Sequence, residues 1–78
     1  MVPILRVKSF DLKRCEIEIT NFDSSFEWNI SSDIGTISRN GNLISLVNDM
    51  DFPGSKVKVV ARKSNFVDGE ATAECLPG

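Results

Sequence analysis

The chain has 78 residues, of which 41% are hydrophobic and 26% are charged, and its formal net charge is -2. A chain of this length forms one small domain, and this composition is typical of a globular protein and excludes an intrinsically disordered one. The charge excludes the basic excess expected of a nucleic-acid binder, and no stretch approaches the roughly 20 consecutive apolar residues that span a bilayer.

Period-two alternation of apolar and polar residues dominates the chain, and no segment keeps helical spacing over three turns. Seven strands are therefore predicted, at residues 2–8, 12–20, 26–31, 34–39, 42–47, 55–63 and 70–76. Alternation assigns the following side chains to their buried faces: Leu5, Val7, Cys15, Ile17, Ile19, Phe26, Trp28, Ile30, Val57, Val59, Ala61, Ala71, Ala73 and Cys75. Seven strands with turns at short intervals predict an all-β protein, an immunoglobulin-like antiparallel β-sandwich.

Two connections between the strands carry turn signals. Asn40-Gly41 predicts a two-residue hairpin loop, because a type I′ turn needs positive φ at both positions. This loop would set Ile37 opposite Ile44 in the paired strands. Residues 48–54 are predicted to form a loop that tucks Phe52 under the sandwich. We interpret residues 1–78 as one domain excised from a longer multi-module protein, since Pro-Gly at the end is typical of a domain boundary.

The order of several short motifs resembles the bacterial immunoglobulin-like domains of intimin- and invasin-type surface proteins. These motifs are the Trp28 strand, Ser31-Ser32-Asp33, Gly35-Thr36-Ile37-Ser38, Asn40-Gly41 before a leucine, and Pro53-Gly54 before Val57-Lys58-Val59-Val60-Ala61. The resemblance covers residues 26–73 and implies a fold and a surface location. It implies no catalytic residues. The sequence departs from the family where Pro53-Gly54-Ser55-Lys56 replaces a Gly-Thr-Ala run, and most members lack cysteines.

The two cysteines are predicted to form a disulfide. In the immunoglobulin topology the second strand begins, and the last strand ends, at the same end of the sandwich, and the two strands belong to opposite sheets. Cys15 and Cys75 both point inward at those positions. The alternative is a pair of buried free thiols, since cysteine is among the most buried residue types. Two thiols with no histidine in the chain cannot complete a structural zinc site, so no metal or other cofactor is predicted.

Acidic and basic side chains offer weaker candidate sites. Three aspartates in predicted loops could hold calcium: Asp49, Asp51 and Asp68. Their spacing matches no dedicated calcium loop, and the alternative is that they are ordinary acidic residues of turns. A basic stripe, Lys56, Lys58 and Arg62, could touch an anionic glycan. We expect it to be neutralised across the strands by Glu27, Glu70 and Glu74.

Two side chains on the third strand could contact sugars in different ways. Asn29 begins a glycosylation motif, Asn29-Ile30-Ser31, and should face outward, although chance matches to this motif are common. Trp28 could stack on a sugar ring, but its alternation with Phe26 and Ile30 favours a place in the core.

Nothing in the sequence predicts catalysis. The chain has no histidine and no tyrosine, which rules out a standard acyl-transfer triad. We therefore expect a non-catalytic module of a surface or secreted protein, acting as a structural spacer or adhesion unit. Its partners would be neighbouring modules of the same chain, and a surface protein or a glycan could be a further partner. We expect it neither to bind nucleic acid nor to insert into a membrane. The alternatives are a carbohydrate-binding module attached to a secreted enzyme and a small intracellular interaction domain.

Overall fold

A computed structural model describes residues 1–11, 13–49 and 54–75. Its seven strands are β1 (Leu5–Asp11), β2 (Arg14–Ile19), β3 (Glu27–Ser32), β4 (Thr36–Asn40), β5 (Leu43–Val47), β6 (Ser55–Arg62) and β7 (Gly69–Cys75). They form two antiparallel sheets with the orders β1-β2-β5-β4 and β3-β6-β7. This four-plus-three order is that of a constant-type immunoglobulin domain. The predicted fold class is confirmed.

The core lies between the two sheets, and alternation places most of its residues inward. Among the described residues, nine hydrophobic side chains have no solvent exposure: Cys15, Ile17, Ile19, Ile44, Leu46, Val57, Val59, Ala61 and Cys75. Phe26, also expected to face inward, lies just before β3 and is half-buried, and its ring contacts that of Phe66. On β6 the intervening residues Lys56, Lys58 and Arg62 are exposed. This strand pairs on both sides, with β3 and β7, and its β-branched inner face suits a pleated, packed surface.

The first strand differs from its prediction in its limits and in the exposure of Val7. It runs from Leu5 to Asp11, and its pairing with β2 shifts register between Val7 and Ser9. An extra residue in one strand of a pair reverses the alternation beyond it. Val7 precedes the shift and lies opposite the buried Ile17, but it is 40% exposed because β1 is an edge strand. After the shift, Phe10 lies opposite Cys15 and packs against the core.

The hairpin between β4 and β5 turns one residue later than predicted. Asn40 still pairs with Leu43, so the two-residue loop is Gly41-Asn42. Gly41 has a φ of 58°, and a type II′ turn requires glycine at this first loop position. Ile37 therefore lies opposite Leu46, and the predicted pairing of Ile37 with Ile44 is wrong.

The sandwich is elongated, with principal extents of 41 × 19 × 18 Å, and its two ends differ. The strand register brings residues 1–4, 20–26, 41–42 and 63–68 to one end, which we call the loop end. The opposite end holds the start of β2 and the end of β7, and we call it the disulfide end. The predicted place of Phe52 and the predicted strand limits at Leu12 and Leu76 lie outside the described residues.

The segment before β1 is fixed to the loop end by hydrogen bonds from one side chain. The Asn21 side chain accepts a hydrogen bond from the Ile4 amide at 2.8 Å and donates one to the Val2 carbonyl at 2.9 Å. Gly69, at the start of β7, lies close to the backbone of Met1 and Val2 in the same segment. A Cβ atom on Gly69 would lie 1.6 Å from the Met1 carbonyl oxygen, so this approach requires glycine.

Candidate functional site

A disulfide joins Cys15 and Cys75, as predicted. The two Cα atoms are 6.2 Å apart, and both residues are fully buried. The bond links β2 in one sheet to β7 in the other, whereas antibody domains link the second and sixth strands. It therefore ties the two sheets together at the disulfide end, in a place that solvent does not reach.

Trp28 packs on the rim of the core. The core residues Ile17, Ile19, Val57 and Val59 have no exposed surface, whereas Trp28 is half-buried and packs against that cluster. Its indole stacks on the ring of Phe22, with 5.4 Å between ring centroids, and its Nε1–H donates a hydrogen bond to the Asp23 carbonyl at 2.9 Å.

Lys63 lies between two aromatic rings at the loop end. Its Nζ is 5.1 Å from the ring centroid of Phe26 and 5.1 Å from that of Phe66, and the two rings meet edge to face at 5.5 Å. The ammonium also donates a hydrogen bond to the Ser25 hydroxyl at 3.0 Å. An ammonium against aromatic faces is attracted by the ring quadrupole, so these contacts join the loop before β3 to the loop after β6.

Asp23 extends this loop contact. Its carboxylate accepts hydrogen bonds from the Ser25 amide at 2.8 Å and from the Ser25 hydroxyl at 2.7 Å. These two bonds, with a smaller effect from the Lys63 charge, hold the pKa of Asp23 below its ordinary value. The carboxylate is therefore ionised at neutral pH and fixes the conformation of the loop.

Large apolar side chains are exposed at the loop end. The exposed fractions are 63% for Val2, 58% for Ile4, 53% for Phe66 and 87% for Val67. Such residues are common singly on a surface, and the presence of several at one end makes the loop end the candidate contact surface. Alternation within strands cannot predict the exposure of Phe66, because this residue lies in the loop between β6 and β7.

A polar cleft of about 330 Å³ adjoins this end, lined by Glu27, Arg62, Lys63, Ser64 and Asp68. Within it Arg62 and Asp68 form an ion pair at 3.3 Å. On the basic stripe, Lys58 pairs with Glu70 at 3.4 Å, as expected, and Lys56 lies opposite Glu74 in the strand register. Arg62 lies opposite Glu27 in the register, as expected, although its ion pair is with Asp68.

Two of the aspartates considered for calcium, Asp49 and Asp68, lie at opposite ends of the sandwich. Asp68 belongs to the loop end and is paired with Arg62, whereas Asp49 follows β5 at the disulfide end. Asp51 lies outside the described residues. Within residues 1–11, 13–49 and 54–75, no group of three or more His, Cys, Asp or Glu side chains could hold a metal ion.

A second surface groove of about 300 Å³ runs between the edge strands β3 and β4. It is lined by Trp28, Asn29, Ile30, Ile37, Ser38 and Arg39. Asn29 is exposed here, so the asparagine of the glycosylation motif faces outward. Trp28, Ile30 and Ile37 are half-buried and form the apolar part of the groove.

Comparison of the chain with protein-family models, with curated proteins and with solved structures gave no match in any of the three. In the part of the chain that the structure describes, no helix is long and apolar enough to cross a membrane.

Proposed function

We propose that the chain is a non-catalytic immunoglobulin-like module of a surface or secreted multi-domain protein, in which it acts as a spacer and contacts a neighbouring module through its loop end. The resemblance to intimin- and invasin-type domains and an extracellular location belong to this proposal. The disulfide supports them, because disulfides persist mainly in oxidising compartments.

One observation carries the spacer proposal: the chain runs from one end of an elongated body to the other. Residues 1–4 lie at the loop end, and Cys75 lies at the disulfide end of a sandwich 41 Å long. Modules whose first and last strands open at opposite ends extend a protein when they are joined in series. The cross-sheet disulfide stiffens the end from which β7 leaves.

The loop end supplies the contact surface for such a neighbour. Val2 and Ile4 precede β1 and are exposed, and Phe66 and Val67 are exposed at the same end. Burial of these side chains against the next module would contribute to binding in proportion to the apolar area removed from water. The Arg62–Asp68 ion pair and the hydrogen bonds of Asp23, Ser25 and Lys63 would form the polar rim of this interface.

The experiment is small-angle X-ray scattering on two copies of the chain fused in series. We expect a maximum dimension about twice the 41 Å of one module. We also expect that serines in place of Phe66 and Val67 in the second copy broaden the distance distribution, because the contact between modules is lost. Serine in place of Val47, which is 43% exposed at the other end, is a control in the same copy. Side-by-side packing of the modules would contradict the proposal.

A second candidate function is carbohydrate binding, and one observation favours it. Phe66 exposes an aromatic ring beside the polar cleft of Glu27, Arg62 and Asp68. Sugar recognition combines an aromatic face with charged and polar groups that fix hydroxyls. Saturation-transfer NMR with a panel of oligosaccharides tests it: signals that depend on Phe66 would favour this function over the spacer alone.

A further inference from the structure

The two sheets differ in strand number, and the difference falls at the β3–β4 groove. Four strands, ending at β4, pack on three strands, ending at β3. Variable-type immunoglobulin domains carry additional strands beside the third strand, in the sheet to which β3 belongs. The groove along β3 and β4 therefore lies where such an additional strand would pair.

The free edge of β3 lacks the usual protection against pairing. Edge strands are commonly guarded by lysine, proline, bulges or a covering element. The edge strand β1 has a register shift after Val7 and carries Lys8, and β7 packs against β1. By contrast, β3 pairs with β6 through six regular positions, has Glu27 as its one charged residue, and contains no proline or lysine.

The lining of the groove defines the chemistry of an occupant. Trp28 and Ile30 on β3 and Ile37 on β4 are half-buried, which suits apolar side chains at every second position. Arg39 is the one charged residue among the described residues that line the groove. It forms no ion pair with any described residue; its guanidinium donates to the Gly41 carbonyl at 2.6 Å and lies 5.4 Å from the Phe22 ring centroid.

We propose that this groove binds an extended peptide segment of a partner protein, which adds to β3 as an extra strand. The peptide places apolar side chains at alternate positions over Trp28, Ile30 and Ile37 and a carboxylate against Arg39. Backbone hydrogen bonds to the free edge provide affinity, and the alternate side chains and the charge provide specificity. The groove includes none of the exposed apolar residues Val2, Ile4, Phe66 and Val67 of the loop end, so it serves a different partner from the neighbouring module.

The experiment is an NMR titration of the isotopically labelled chain with a seven-residue peptide. In this peptide valine alternates with threonine, and one terminal valine is replaced by aspartate, because Arg39 lies on the same face of β4 as Ile37. We expect saturable shifts along β3 and β4, and slower amide exchange on β3. A peptide with proline at the centre should not bind, because proline cannot donate to the ladder.

Two variants test the charge. Arg39→Gln should weaken binding about tenfold, the effect expected when a charge-assisted hydrogen bond is lost. Arg6→Gln on β1 is the matched control and should leave binding unchanged. The amide spectrum of each variant reports its fold. Equal binding of the proline peptide, shifts confined to β1 or β7, or self-association through β3 in place of peptide binding would overturn the proposal.

Discussion

Reduction of the Cys15–Cys75 disulfide should remove a large part of the stability of this domain. The bond joins residues separated by 60 positions, and a loop of this length contributes about 4 kcal/mol in the chain-entropy model. For a domain of this size, 1 kcal/mol shifts the melting temperature by about 4–8 °C. We therefore expect reductant to lower the melting temperature by about 15–30 °C, measured by circular dichroism with and without a phosphine reductant.

The double variant Cys15→Ala/Cys75→Ala is the control for this measurement. It should melt near the reduced protein and should not respond to reductant, because it has no bond to break. The oxidised chain, denatured without reductant, should also resist thiol labelling. Melting temperatures within a few degrees for the oxidised and reduced proteins would refute the reasoning, since the loop closure would then contribute little.

Three other predictions follow from the contacts of single groups. Gly69→Ala should cost about 1–3 kcal/mol in urea unfolding, because its Cβ would collide with the Met1 carbonyl and displace the first segment; unchanged stability would mean that this segment is not held. Hydrogen bonds from the Ser55 hydroxyl and the Lys56 amide hold the pKa of Asp33 below its ordinary 3.8. They therefore stabilise the fold above pH 3.8, and this contribution is lost as the pH falls through the lowered pKa. Stability should therefore fall less between pH 5 and about 2 in Asp33→Asn, and parallel profiles would contradict this. A calcium chelator should leave the melting temperature unchanged, whereas a bound ion would raise it as calcium is added.

Strict alternation explains why much of the fold could be predicted from the sequence. On β2 and β6 the apolar residues occur at every second position, and these strands lie in the interiors of their sheets. The position of the two-residue loop between β4 and β5 cannot be predicted in the same way, for a physical reason. Loops at Asn40-Gly41 and at Gly41-Asn42 differ in register by two residues, and a slip of two leaves every side chain on the same face. The hydrophobic pattern cannot distinguish them.

The candidate sites depend on strand order and on contacts between loops, which the alternation of apolar and polar residues does not predict. The alternation on β1 predicts Val7 inside, but Val7 is 40% exposed because β1 lies at the edge of its sheet, which only the strand order shows. Trp28 has inward parity, yet β3 is an edge strand, and an inward side chain on an edge is covered from one side only. The contacts of Lys63 with Phe26 and Phe66 join two loops that are distant in sequence, so no local pattern predicts them.

The stabilising contacts of the fold lie apart from the surfaces that we propose for binding. The disulfide and most of the fully buried side chains hold the sheets together away from the exposed residues of the loop end. Phe66 and Val67 can therefore change with little loss of core packing, whereas a change at Val57 or Ile17 would alter the core itself. The same holds for Arg39, whose guanidinium lies on the exposed rim of the groove. Variants at these surface positions should report on binding with little effect on folding, which is why the loop end and the groove can be tested independently of stability.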